Sequence, residues 1–199
     1  EKFLVARRLM YWQVYLHKTV VSAESMLVKI IQRAKDRIAL GEHLYSGSAP
    51  LDFFLSHSVA DPEEYLRPFI LLDDYDVMSA LKLWMNHEDK VLSTLSRMLI
   101  NRQLLKVKLQ ADPVDIQILE TNRARVIRDL KMTPEEADYL VFTGENTNTT
   151  YDPEDEKINI LFKDGEVRDI SQVDNALISR SLATAVKKFF ICYLAAGTR

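Results

Sequence analysis

The sequence has little glycine, cysteine or histidine, and each shortage closes off a class of chemistry. Only 5 of the 199 residues are glycine, and no glycine-rich phosphate loop, Gly-x-Ser-x-Gly or Cys-x-x-Cys occurs. A P-loop, a serine-hydrolase elbow and a dithiol redox centre are therefore excluded. The one cysteine, Cys192, cannot form an internal disulfide and suits a reducing compartment. It sits in an apolar stretch, so an inert core thiol is expected. The histidines are His17, His43, His57 and His87; none is followed directly by Asp, and none stands at metal-ligand spacing from another. No apolar run approaches the ~20 residues that span a bilayer. The longest, Phe189 to Ala196, is strand-sized, and no signal peptide is visible. A cytoplasmic protein with no membrane partner is expected. Net charge is −3, so no global excess of positive charge points to nucleic acid. Glu1 already reads as helix, which suggests a start inside a longer protein. No internal repeat or low-complexity run is present.

The composition is that of a globular chain, 47% hydrophobic and 28% charged. Residues 1–40 read as one long helix. Leu9, Trp12, Leu16, Val20, Ala23, Leu27, Ile30, Ile31 and Ala34 recur at three- and four-residue steps until Gly41 stops the pattern. A loop over 41–50 and several shorter helices follow. These run from Leu51 to His57, from Asp61-Pro62, from Asp74 to Asn86 and from Glu88 to Asn101. Near residue 104 the period changes. Leu105, Val107 and Leu109 alternate with polar residues as in a half-buried strand. Asp112-Pro113 is read as opening a helix to about Leu130, and Thr133-Pro134-Glu135-Glu136 a short one. Leu140 to Phe142 reads as a strand. Ile158, Ile160 and Phe162 precede a hairpin turn at Lys163-Asp164-Gly165-Glu166, and Val186 to Leu194 is a last strand. The fold class is α+β: an all-helical part over 1–103 and a small α+β lobe over 104–199.

The segment that carries chemistry is Arg7 to Lys18. At ~100° per residue, Arg7, Tyr11, Tyr15 and Lys18 fall within about 80° of one another. Leu9, Trp12 and Leu16 lie roughly opposite and are expected to be buried. Guanidinium and ammonium groups suit phosphate; phenols suit stacking on a base or sugar and hydrogen bonding to a hydroxyl. The plainer alternative is a solvated face whose long side chains cover a neighbouring helix. Residues 1–38 hold eight Lys/Arg against three acids, which fits either phosphate or an acidic partner subunit. Thr133 to Glu156 carries eight acids and no base. An exposed acidic loop is expected there, since the spacing is not that of an EF-hand. Asn146 and Asn148 begin Asn-x-Thr sequons, read as a polar loop. His87-Glu88-Asp89 reads as a polar corner between helices, with one of the acids at a helix start.

An Arg followed eight residues later by Tyr-x-His-Lys on a long helix resembles the signature after the metal core in HD-superfamily dNTP triphosphohydrolases, the dGTPase-like enzymes related to the SAM-and-HD-domain enzyme. Here it is Arg7, Tyr15, His17 and Lys18, with Tyr11 where that family often has His. The stretches Val20 to Arg37 and Leu71 to Leu105 fit as well. The resemblance covers residues 1–110 well and continues loosely beyond. It implies HD-type helices, a divalent metal, and hydrolysis of a deoxynucleoside triphosphate to nucleoside and triphosphate. It also implies a homo-oligomer, with nucleotide as substrate or effector. Arg7 and Lys18 would hold phosphates. Tyr15 would pack on the deoxyribose and disfavour a 2′-hydroxyl, Tyr11 would replace a proton donor, and His17 would complete the substrate-binding set. The metal would polarise the α-phosphate and activate water. Its ligands should lie before Glu1, so this chain would hold no catalytic residue or metal of its own and should not turn over alone. Two other readings stay open: a non-catalytic oligomerisation or nucleotide-sensing module, and single-stranded nucleic-acid binding through the Arg/Tyr/Lys face.

Overall fold

The structure is a computed structural model that describes residues 2–57, 61–148, 157–170, 173 and 186–195. An all-helical run comes first and a mixed run of strands and helices second, as the change in period implies. The helices are α1 (Lys2–Met10), a π-helical turn (Tyr11–Tyr15), α2 (Lys18–Ala39), α3 (Ala49–Ser56), α4 (Pro62–Leu71), α5 (Asp74–Trp84) and α6 (Lys90–Ile100). Then follow β1 (Lys106–Gln110), α7 (Ile116–Leu130), α8 (Pro134–Ala137), β2 (Phe142–Asn148), β3 (Asn159–Leu161), β4 (Val167–Asp169) and β5 (Val186–Tyr193). The class is α+β. No described helix is both long and apolar enough to cross a membrane.

Most helix starts are written in the sequence. A side-chain oxygen takes up the free amide that an N-terminus leaves. Asp61 accepts from the Glu63 N–H at 3.0 Å, Asp89 from Leu92 at 2.8 Å and Asp115 from Gln117 at 2.8 Å. Asp73 with Asp76, and Thr133 with Glu136, form reciprocal capping boxes.

The single helix expected over 1–40 is a correction. Leu16 N–H reaches back five residues to the Tyr11 carbonyl at 2.8 Å, and His17 then leaves the helix with φ −66° and ψ 136°. Tyr11 to Tyr15 is aromatic and β-branched, a weak helix segment in which an inserted residue costs little. The apolar stripe is corrected too. Leu9 is exposed, and Trp12 and Leu16 are only half-buried. Trp12 lies beneath the Lys188 ammonium of β5, 5.6 Å from its ring centroid, and so is no core residue. The pattern becomes a true core only in α2, where Met26, Ile30 and Ala34 are fully buried.

Other boundaries move for local reasons. The helix expected from Asp112-Pro113 starts at Ile116, capped by Asp115. Leu140 and Val141 are buried in the turn before β2 rather than in the strand itself. Asn146 lies in β2, paired with Lys188, and not in a loop. The acidic cluster Asp152 to Glu156 is outside the described residues.

β5 is the middle strand of an antiparallel sheet of order β1-β5-β2, with Val107 opposite Cys192 and Phe142 also opposite Cys192. β3 and β4 form the expected hairpin, with Gly165 at φ +85° in its turn. One apolar core runs through both kinds of structure, from Met26 and Ile30 of α2 through Trp84 and Leu95 to Ile191 and Cys192 of β5. Cys192 is wholly buried, and burial pushes its thiol pKa up to about 12. α2 is pinned to the sheet by the buried Ser22 hydroxyl, which donates to the Leu105 carbonyl at 2.7 Å.

Candidate functional site

The break at His17 divides the expected binding face in two. The π-helical turn keeps Arg7, Tyr11 and Tyr15 together. Tyr11 and Tyr15 have ring centroids 5.0 Å apart, and the Arg7 guanidinium lies 6.0 Å from the Tyr11 ring centre. These three, with Phe3, Ala6 and Met10, line one open concavity. It offers two phenols and one guanidinium on an apolar floor. Such a lining can stack on a ring and hold a single anionic group.

His17 and Lys18 line a different hollow, with Thr19, Ser22, Arg102, Leu104, Leu105, Lys106 and Val107. The positive end of α2 opens into it, and no acidic residue stands in that helix's first turn. His17 is the N-cap. Its Nδ1 accepts from the Thr19 N–H at 3.3 Å, so the neutral ring carries its proton on Nε2, as a donor. Among the described residues, Lys18, Arg102 and Lys106 carry no ion-pair partner. A helix N-terminus with three uncompensated cations attracts a multiply charged anion.

Arg102 and Lys106 could not be assigned from sequence, because they join Lys18 only through the packing of α2 on β1. One backbone signal does mark Arg102. After α6, Gln103 N–H bonds the Met98 carbonyl at 2.8 Å and Arg102 N–H the Leu99 carbonyl at 3.1 Å, a Schellman ending. Arg102 occupies the left-handed position of that motif with φ +57°, where glycine is the unstrained choice. Arg102→Gly is therefore expected to raise stability by about 1 kcal/mol, or a few degrees in Tm. The same change removes a guanidinium from the hollow. Thermal melting checks this; a lowered Tm shows that the side chain supports the fold and is not held there against backbone strain.

A second polar cluster joins the helices to the sheet lobe. Asp89 takes bonds from Arg33 Nε at 3.1 and 3.2 Å and from Nη2 at 2.5 Å, with side chains only 5% and 12% exposed. Arg37 lies 3.8 Å from Asp89 and bonds Glu42, which stands 3.6 Å from His87 Nε2. Glu136 of α8 lies 4.0 Å from Arg33. The Arg33 guanidinium lies over the ring of Tyr139, whose hydroxyl bonds Asp36. Among the described residues no group of three or more His, Cys, Asp or Glu is placed to hold a metal ion. These carboxylates do not fit one, because Arg33 and Arg37 already supply the positive charge.

The fold matches that of a solved structure over most of the chain. A search of solved structures finds a crystallised phosphohydrolase of Bacteroides thetaiotaomicron, with TM-score 0.83 and 42% identity over 97% of this chain. The chain thus has a phosphohydrolase fold, or the part of one that it spans. It is also similar to the uncharacterized protein YwfO of Bacillus subtilis, at 27% identity over 86% of this chain. The chain spans 49% of the length of the first and 39% of the second. No family model matches it.

Proposed function

We propose that this chain is the nucleotide-contacting part of a metal-dependent HD phosphohydrolase that cleaves deoxynucleoside triphosphates to nucleoside and inorganic triphosphate. The observation that carries the reading is the hollow at the start of α2. There His17, Lys18, Arg102 and Lys106 gather around an uncompensated helix N-terminus. A triphosphate supplies the charge that such a site lacks. The neighbouring concavity supplies Arg7 for a phosphate oxygen and Tyr11 and Tyr15 for a base or sugar. The two hollows therefore divide the work: one takes substrate, the other an effector. The phosphohydrolase name of the Bacteroides neighbour supports the reaction class. The ligands of the divalent metal are supplied from outside this chain, in a cytoplasmic homo-oligomer.

The test is product analysis on the longer protein with a divalent metal. Inorganic triphosphate should appear one-for-one with deoxynucleoside, and this chain alone should release none. Release of orthophosphate or pyrophosphate as the first product would sink the reading. So would triphosphate release by the isolated chain that a chelator abolishes. The second reading, a nucleotide-sensing module without turnover, is favoured by the same cation cluster. It is the outcome if nucleotide binds and no product forms.

A further inference from the structure

Nothing in the sequence requires the chain to stop being helical at His17. No glycine or proline stands between Lys2 and Leu40, and the three-and-four spacing runs on without interruption. The φ of His17, −66°, is already helical; only its ψ of 136° is not. Rotating that one bond to about −42° would carry the preceding helix on into α2. No described residue of α1 is buried, so such a swing opens no core. A continuous helix would also use amides that the break leaves over. Among the described residues nothing accepts from the N–H of Lys18 or Val20, whereas a through-running helix would hand them to Val14 and Leu16. The break therefore needs something to hold it. The Thr19 N–H donates to His17 Nδ1 at 3.3 Å, a bond that exists only while the chain is broken. In a continuous helix the same amide would go to the Tyr15 carbonyl.

We propose that His17 is a positioning residue, whose Nδ1 cap keeps α2 separate from the helix before it and so assigns Lys18 to the second hollow. With helix throughout, Lys18 would return to the face of Arg7, Tyr11 and Tyr15, an arc of about 80°. The second hollow would then keep only Arg102 and Lys106 of its lysines and arginines. The cap thus decides which cations act together. It works through an acceptor atom rather than through the ring, so a different side chain with an acceptor at that place serves equally. What the second hollow binds rests on the function proposed above; the joint itself does not.

Residue-resolved hydrogen exchange on the longer protein tests the joint without any ligand. His17→Leu has no acceptor and favours helix, whereas His17→Asn keeps an acceptor but has no ring. The Lys18 and Val20 amides should exchange at similar rates in wild type and His17→Asn. Both should slow by about tenfold or more in His17→Leu, as the helix runs through. The amides of the fully buried Met26 and Ile30 are the control and should stay equally slow in all three proteins. Calorimetry with inorganic tripolyphosphate then reads where Lys18 lies. Its affinity should fall about tenfold in His17→Leu and stay within about threefold of wild type in His17→Asn. Unchanged exchange in His17→Leu overturns the proposal, and so does an Asn variant that behaves like the Leu variant. A wild-type protein that binds no tripolyphosphate would refute the anion reading alone, and the exchange rates would still decide the joint.

Discussion

Asp89→Ala is expected to lower the unfolding free energy by about 3–5 kcal/mol. Two effects add. The smaller is the cap of α6: the Leu92 N–H loses its 2.8 Å acceptor, which costs about 1 kcal/mol. The larger is Arg33, whose guanidinium stays in place with its main counter-charge gone. Its side chain is only 12% exposed. The remaining carboxylate, Glu136, is 4.0 Å away and cannot replace three hydrogen bonds. Asp89→Asn keeps an oxygen for the cap but not the charge, and should fall between wild type and Asp89→Ala. Pairing Asp89→Ala with Arg33→Met should recover part of the loss, because the stranded charge is removed with its partner. Denaturant titration of the four proteins measures all of this. A loss below about 1 kcal/mol for Asp89→Ala would mean that Arg33 simply rehydrates, and that the cluster does not hold the two parts together.

The same pair sets a direction with pH. Burial pushes the Asp89 carboxyl up. The Arg33 hydrogen bonds, the Leu92 N–H and the charges of Arg33 and Arg37 outweigh it, so its pKa lies below the ordinary carboxylate value. A depressed carboxylate stabilises the fold above its unfolded pKa of about 3.9 and loses that contribution as pH falls through its folded value. Arg33 stays protonated throughout, its pKa raised first by its bond to Asp89. The acid limb of the stability curve should therefore flatten below about pH 4 in Asp89→Asn.

What could be read from the sequence, and what could not, divides along a physical line. Asp61, Asp73 and Thr133 act within a few residues of themselves, so their helix starts were legible from local chemistry alone. The β3–β4 hairpin was legible for the same reason, since Gly165 supplies its own turn. The strand pattern at Leu105 to Leu109 and the strand at Val186 to Tyr193 also declare themselves by alternation and apolar content. The break at His17 did not. Three-and-four spacing continues straight through it, and only the backbone bond from Leu16 to Tyr11 reveals the extra residue. The spacing therefore placed Lys18 on the Arg7 face, whereas the break sends it to the other hollow. Arg102 and Lys106 are more than eighty residues from Lys18 in the chain, and pairing at that distance leaves no mark in a single sequence. Arg33 with Asp89 was invisible for the same reason.

That division gives the candidate site its sharpest test. If Arg7, Tyr15 and Lys18 formed one face, losing Arg7 and losing Lys18 would damage one shared contact set. The structure instead puts Arg7 with the tyrosines and Lys18 with Arg102 and Lys106. On the proposed function each of these cations makes a charge-assisted phosphate contact worth roughly 1.5–3 kcal/mol, so Arg7→Ala, Lys18→Ala and Arg102→Ala should each lower kcat/KM of the longer protein about ten- to hundredfold. The informative quantity is how the losses combine. Lys18→Ala with Arg102→Ala should be far from additive, because the second change acts on a phosphate already lost; a coupling of about 1 kcal/mol or more is expected. Arg7→Ala with Lys18→Ala should add to within about 0.5 kcal/mol, since no side chain is shared between the two linings. Steady-state kinetics on the three single and two double variants, with melting curves to confirm folding, decide it. Additivity between Lys18 and Arg102 would show that the second hollow binds no common anion. Strong coupling between Arg7 and Lys18 would show that one nucleotide spans both hollows. Single losses all within twofold of wild type would leave these cations as solvated surface, and the binding reading would fail.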